Sequence, residues 1–380
     1  MPAEIAVAPV AGKADLKAFV ELPKRLYAGR PGYVAPLDME RIEALTPKTN
    51  PYFAHAEVQL FLARRNGRPV GRISAQICAL HQQRYNDRTG HFGFLDAEDD
   101  PEIFAALTAA AEGWLKSRGM TRLVGPLSFS TNEESGLLIA GEDALPMLMM
   151  PFHLPYAGPR LDALGFRKAK DLVAYDLGKD DYKPVGSSRM LDKLKADGTI
   201  VLRNLDMKNY QRDLNLILDI FNDAWAENWG MVPFTAAEIA AAAKGLKPLI
   251  DPKLVVIAEV KGEAAGMLVC VPNLLEVIRD LNGRLLPFGL FKLIWRLKTK
   301  SVKSSRIPLM GIRRKHHGTV LGAALLPLMF NQIKQPFLAR GLERLEMSWI
   351  LEDNMPMRRV IEGVGGRVYK TYRIYEKAIA

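Results

Sequence analysis

The chain has 380 residues, 48% of them hydrophobic and 25% charged, with a formal net charge of +10. This is ordinary globular composition, long enough for about two domains and able to bury a large core without disulfide staples. Cys78 and Cys270, the two cysteines, sit in apolar runs with no C-x-x-C or Cys/His pattern around them, so they are expected as reduced core residues of a cytosolic protein, with no metal site. The N-terminus lacks the apolar stretch of a signal peptide, and no apolar run reaches the roughly 18 residues of a spanning helix.

The charge is uneven. Residues 1–190 hold 23 Lys/Arg and 23 Asp/Glu, while residues 191–380 hold 29 and 19, so the whole excess lies in the second half. Within it, Leu281–Lys315 carries ten cations and no acid. Such a local field points to an anionic partner: a nucleotide ligand, an anionic membrane face or nucleic acid.

In chain order, residues 57–77 predict a hairpin turning at Asn66-Gly67. FGFLDA (92–97) reads as a strand and Pro101–Arg118 as a helix, with Ile103, Leu107, Ala111 and Leu115 on one face and Asp99 or Asp100 as cap. Thr121–Ser130 reads as a strand, and residues 160–177 as a short helix, a glycine turn and a closing strand. The linker is placed at Gly178–Ser188. Helices follow at Asn209–Trp225 and at Thr235–Lys244, the latter with a Thr235/Glu238 capping box. Residues 254–271 predict a second hairpin, turning at Lys261-Gly262. Ile307–Ile312 is a strand, Gly318–Arg340 a helix and Arg344–Leu351 a strand; residues 357–377 repeat the helix, glycine and closing strand. Matched landmarks lie 197 (Val58 to Val255) and 200 (Gly165 to Gly365) positions apart, which suggests duplication.

Three stretches could carry chemistry. RRKHHGT (313–319) joins a strand to a helix, a setting in which free backbone N–H groups and nearby cations bind anions. The same residues also read as a solvated basic turn; His316-His317 makes a poor metal site because adjacent side chains diverge. Neither the P-loop nor the dinucleotide fingerprint is present. Glu352-Asp353-Asn354 ends a strand where ligands commonly bind, or simply caps the helix that Pro356 begins. LLPFGLFKLIWRL (285–297), followed by cations, has the composition of a helix lying in a membrane interface, or of an amphipathic helix packed on a core. Trp225, Trp229 and Trp295 could line an apolar pocket or fill a core.

The order of strand, basic glycine loop, helix, Asn-terminated strand, short helix and closing strand over about 250–377 resembles the GNAT acyl-CoA N-acyltransferase fold. The family loop R/Q-x-x-G-x-G/A falls on Lys315, His316, His317, Gly318, Thr319 and Val320. Its second motif falls on Asn354, Met357, Val360, Ile361, Glu362, Gly363, Gly365 and Gly366, with Ile361 at the tyrosine that often protonates the leaving thiolate. The first half is similar more faintly and lacks a basic glycine loop. The resemblance implies an α/β (α+β) fold of tandem GNAT-like domains, 1–185 and 190–380, each a mixed, mostly antiparallel sheet with flanking helices, and only the second holding CoA. FNDAWAENWGMVPFT (221–235), NGRLLPFGLFKLIWRLK (282–298) and SWILEDNMPMRR (348–359) resemble the two-domain group that includes bacterial ceramide synthases. That implies long-chain N-acylation of a sphingoid base.

On this resemblance Ile312, Arg313, Arg314, Lys315, His316, Gly318, Thr319 and Asn354 bind acyl-CoA. Glu352 or His317 accepts the ammonium proton, and Tyr372 or Tyr375 replaces the missing acid. Trp225, Trp229, Asn132 and Glu134 face the acceptor, and residues 284–306 face the inner membrane surface. The rival readings are a binding module without turnover, a small-amine acetyltransferase, and a nucleic-acid binder; the Leu/Phe/Trp interleaved with the basic block disfavours the last.

Overall fold

The computed structural model describes residues 4–184, 189–247, 250–299 and 302–379. The chain forms two compact units: Met1–Leu172 with Ile278–Lys292 and Lys370–Ala380, and Val173–Val277 with Leu293–Tyr369. The division therefore does not fall at one chain position. Of the predicted linker, Gly178 closes a strand and residues 185–188 lie outside the described residues.

The first unit contains β1 (Ile5–Pro9), α1 (Gly12–Leu26), α2 (Asp38–Ala44), β2 (Ala56–Arg65), β3 (Arg68–Cys78), α3 (Ala79–Tyr85), β4 (Thr89–Ala97) and α4 (Pro101–Lys116). It continues with β5 (Arg122–Gly125), β6 (Leu127–Ser128), β7 (Glu134–Ser135), β8 (Leu137–Ala140), α5 (Ala157–Ala163) and the start of β9 (Arg167–Gly178). Strands β1 to β4 pair antiparallel in sequence order; β4 and β5 are parallel over Thr89–His91 and Arg122–Val124. The β2–β3 turn has φ +51° at Asn66 and +78° at Gly67, the left-handed pair that hairpins of this twist require. Helix α4 crosses from β4 to β5 and buries the predicted stripe of Ile103, Leu107, Ala111 and Leu115 against Val70, Ile73, Phe92 and Leu123. Asp100 caps it, accepting from Glu102 N at 2.9 Å. The predicted strand 121–130 is instead two short strands, because Pro126 has no N–H to continue the ladder.

The second unit takes the end of β9, then α6 (Arg189–Ala196), β10 (Ile200–Asn204), α7 (Tyr210–Ala224), α8 (Ala236–Leu246), β11 (Val255–Val260), β12 (Glu263–Pro272) and α9 (Leu275–Ile278). Then come α10 (Gly289–Lys298), whose residues up to Lys292 belong to the first unit, β13 (Ser304–Ile312), α11 (Val320–Ala339), β14 (Arg344–Leu351), α12 (Met355–Gly363) and β15 (Arg367–Ala378), whose last residues return to the first unit and pair with β5. Strands β10 to β13 are antiparallel in order, and β13 and β14 are parallel. Lys261 and Gly262 turn the second hairpin at φ +52° and +80°. The Thr235/Glu238 capping box is present. Each unit thus has a hairpin, a third antiparallel strand and a parallel strand reached through a crossover helix. No helix among the described residues is long and apolar enough to cross a membrane.

Candidate active site

The parallel pairing of β13 with β14 runs from Ser304↔Arg344 only as far as Ile307↔Met347. Pro308 follows and has no N–H to extend a ladder; the pairing to β12 also shifts register here. Beyond this point the two strands splay into a cleft. Its walls are Trp225, Asn228, Ile307, Pro308 and Met310 on one side and Met347, Ser348, Trp349, Ile350, Leu351, Asn354 and Met357 on the other. Thioether, indole and aliphatic side chains line it together with polar atoms, Asn228, Ser348 and Asn354 among the residues, a mixed surface that can take an apolar chain and hold a polar group.

A buried charge pair sits at the apex. Arg306 and Glu346 are direct cross-strand partners, both almost wholly excluded from solvent. Arg306 Nε donates to Ser348 Oγ at 3.0 Å and lies 3.3 Å from Glu346 Oε1, to which Ser348 Oγ donates at 2.6 Å. Tyr369 donates its hydroxyl to the other carboxylate oxygen. The guanidinium also stacks 4.5 Å from the Trp349 ring centroid. Charges this deep persist only when hydrogen-bonded on all sides, and here they fix the last paired rungs before the strands part.

The basic loop lies at the open end of β13. Residues 314–316 form one 3-10 turn; Gly318 adopts φ +69°, and Thr319 caps α11 by accepting from Gly322 N at 3.0 Å. The helix therefore starts at Val320 rather than at the predicted Gly318. A Cβ on Gly322 would lie 1.9 Å from His316 O, so only glycine lets the loop sit down on the first helical turn. The three loop cations are already paired: Arg313 with Asp219, Arg314 with Asp223 and Glu227 (2.8 Å), and Lys315 with Glu263. Exposed pairs of this kind are weak and screened by salt, so phosphate oxygens can compete with them. Burial and Lys315 lower the His316 pKa, which favours the neutral ring. His317 Nε2 lies 2.9 Å from the Ile312 carbonyl oxygen; a carbonyl only accepts, so Nε2 carries the proton and Nδ1 is the basic nitrogen.

At the β14 end, Asn354 lines the cleft and also caps α12, its Oδ1 accepting from Met357 N at 3.2 Å. Glu352 is half-buried at the rim, and its carbonyl accepts from Arg358 Nη1 at 2.8 Å. Trp225 is a cleft wall, whereas Trp229 is half-buried in the turn after α7 and does not line it.

Other predicted site residues are placed elsewhere. Ile361, where the family pattern has tyrosine, is fully buried. Tyr375 belongs to the core cluster of the first unit, its hydroxyl against Gly158, and Tyr372 is likewise buried there; neither lies in the cleft. Glu134 is engaged by Arg41, and the backbone N–H of Asn132 caps onto Ser130 Oγ at 3.2 Å, both within the first unit.

The equivalent fork of the first unit is shut. Phe94 N donates to Ser128 Oγ at 3.0 Å, and a Cβ on Gly93 would lie 2.0 Å from Leu127 O. The crossover helix there begins behind Glu98, Asp99 and Asp100, which are held by Arg25 and Arg68, by Arg160 and by Arg65 respectively, and no basic glycine loop precedes it.

A hairpin, a splayed parallel pair and a glycine loop opening the crossover helix define the GNAT N-acyltransferase class, its fold here present in tandem. The overall likeness agrees: a tandem GNAT protein from the clavulanic acid biosynthesis pathway superposes with a TM-score of 0.57 at 14% identity, over 99% of both chains. No protein-family model matches the chain. It is 50% identical over 378 residues to a bacterial ceramide synthase of Caulobacter vibrioides (strain NA1000 / CB15N), covering 99% of this chain and 98% of that one. It is 42% identical over 369 residues to Protein YghO of Escherichia coli (strain K12), covering 97% and 94%. The chain belongs to the bacterial ceramide synthase family and is an acyl-CoA-dependent N-acyltransferase by class.

Proposed function

We propose that the protein transfers a long-chain acyl group from acyl-CoA to the primary amine of a sphingoid base, and that the fork between β13 and β14 is its acyl-CoA site. The fork beside a glycine-opened helix N-terminus carries this reading. Pantetheine and the thioester enter between the strands, the carbonyl near the Met310–Ile312 backbone, and the acyl chain follows the Met310, Met347, Trp349 and Met357 walls. The pyrophosphate rests on the N-terminus of α11 at Gly318 and Thr319, with Arg313, Arg314 and Lys315 exchanging their carboxylate partners for phosphate. Asn354 orients the ligand at the rim. Glu352 takes one proton from the ammonium, through water, to free the amine; as the C–N bond forms and the C–S bond breaks, the nitrogen releases its second proton to solvent and the sulfur departs as thiolate. A thiol of ordinary pKa, about 8.5, leaves as thiolate without a dedicated acid, which fits the buried Ile361 and makes Tyr375 unnecessary. The first unit, its fork shut, offers no second acyl-CoA site of this kind.

Two outcomes follow. Thiol release with a sphingoid base should be fastest with long-chain acyl-CoAs; preference for acetyl-CoA and a small amine would favour the small-substrate alternative, and acyl-CoA binding without thiol release the binding module. Gly322→Val should lower kcat/KM for acyl-CoA by about 100-fold, because the loop must move by an ångström or more. Unchanged kinetics would remove the loop from the site.

A further inference from the structure

We propose that the outward face of α10 and the turn before it dock the protein on an anionic lipid surface. An amphipathic helix packed on a core turns its apolar side inward. In the described part of α10, residues 289–296, most of the apolar side chains lie outward instead. The inward positions are Gly289, Leu293 and Arg296, whose Nη1 donates to Val277 O at 2.6 Å. The outward positions are Leu290, Phe291, Ile294 and Trp295, at the i, i+1, i+4 and i+5 spacing of one helical face. Leu286 and Phe288 in the preceding turn extend it. Leu286 is 80% exposed, Phe291 73%, Phe288 70% and Trp295 66%. Six of the sixteen large hydrophobic side chains exposed among the described residues fall within these ten positions, whereas single exposed apolar residues are normally scattered.

Charge selects the occupant. The face is flanked by exposed Arg284 and by Lys292, which lies 3.2 Å from Asp280, and residues 281–315 contain no acid. A second copy would set one basic block against another. A polynucleotide would meet phenyl, indole and isobutyl groups rather than donors. A phospholipid interface satisfies both halves: the aromatic and aliphatic groups enter the boundary between headgroups and acyl chains, and the cations meet lipid phosphates. The face is a property of one helix and its leading turn, and its binding is read without turnover, so the proposal stands apart from the substrate assignment.

The test is flotation of the full chain with phosphatidylglycerol-rich vesicles and with phosphatidylcholine vesicles. The wild type should float with the former and bind the latter roughly tenfold or more weakly, and raised salt should weaken the binding. The Phe288→Ser/Phe291→Ser/Trp295→Ser variant should lose vesicle binding by a similar factor, at unchanged circular dichroism. Should the triple variant not fold, Phe291→Ser alone, with quenching of wild-type Trp295 by brominated lipid, reads the same face. No wild-type flotation, unchanged binding by the variants, or a self-association in sedimentation velocity that the variants abolish would each overturn the proposal.

Discussion

A Glu352→Gln variant is expected to turn over roughly 10²–10⁴-fold more slowly than the wild type while binding acyl-CoA with an unchanged dissociation constant. The substitution keeps size and hydrogen bonding and removes only the ability to take a proton. Glu352 is half-buried where β14 gives way to α12, one residue past the cleft wall at Leu351; its side chain is not among those lining the cleft, so the proposed role runs through water. The effect has a pH signature. A primary ammonium of ordinary pKa, about 10, supplies tenfold more free amine per pH unit below that value. The variant should therefore recover toward the wild type as pH rises. His317→Gln, by contrast, should leave the pH profile in place, because that ring is tied to the Ile312 carbonyl. Wild-type turnover in Glu352→Gln, or the pH signature moving to His317→Gln, would reassign the base.

Glu346→Gln should destabilise the protein by about 3–5 kcal/mol, the usual cost of leaving a buried charge without its counter-ion. Arg306 would keep the Ser348 hydroxyl and the indole face but lose the carboxylate. In thermal unfolding this corresponds to a fall on the order of 10 °C. Removing both charges together, as Arg306→Met/Glu346→Leu, should recover more than half of the loss, since no unpaired charge remains. A single-variant cost under about 1 kcal/mol, in the range of a surface pair, would show that the pair does not pin the fork.

Much of the scaffold is written locally. Asn66-Gly67 and Lys261-Gly262 declare their hairpins because few residues tolerate positive φ, and the Thr235/Glu238 box and the Asp100 cap fix helix starts within a residue. The candidate site is legible where a motif is local, as at Gly318, Thr319 and Asn354. It is not legible where tertiary partners decide. Nothing in RRK announces that Asp219, Asp223 and Glu227, on or just after α7 and about 90 residues earlier, pair with two of its cations. Nor does the composition of 285–297 tell whether its apolar face turns in or out. Arg306 and Glu346 read as ordinary strand charges until their register sets them opposite each other. One signal was present and informative in retrospect: Pro308 inside a strand run marks where the ladder stops.

A crystal structure with a non-hydrolysable long-chain acyl-CoA analogue should show one analogue per chain, its pantetheine between β13 and β14 beyond Ile307 and Met347, its pyrophosphate against Gly318–Gly322, and its acyl chain along Met310, Trp349 and Met357. An analogue seated at the first unit's β4–β5 fork, or with its phosphates at Glu98–Asp100, would contradict this placement.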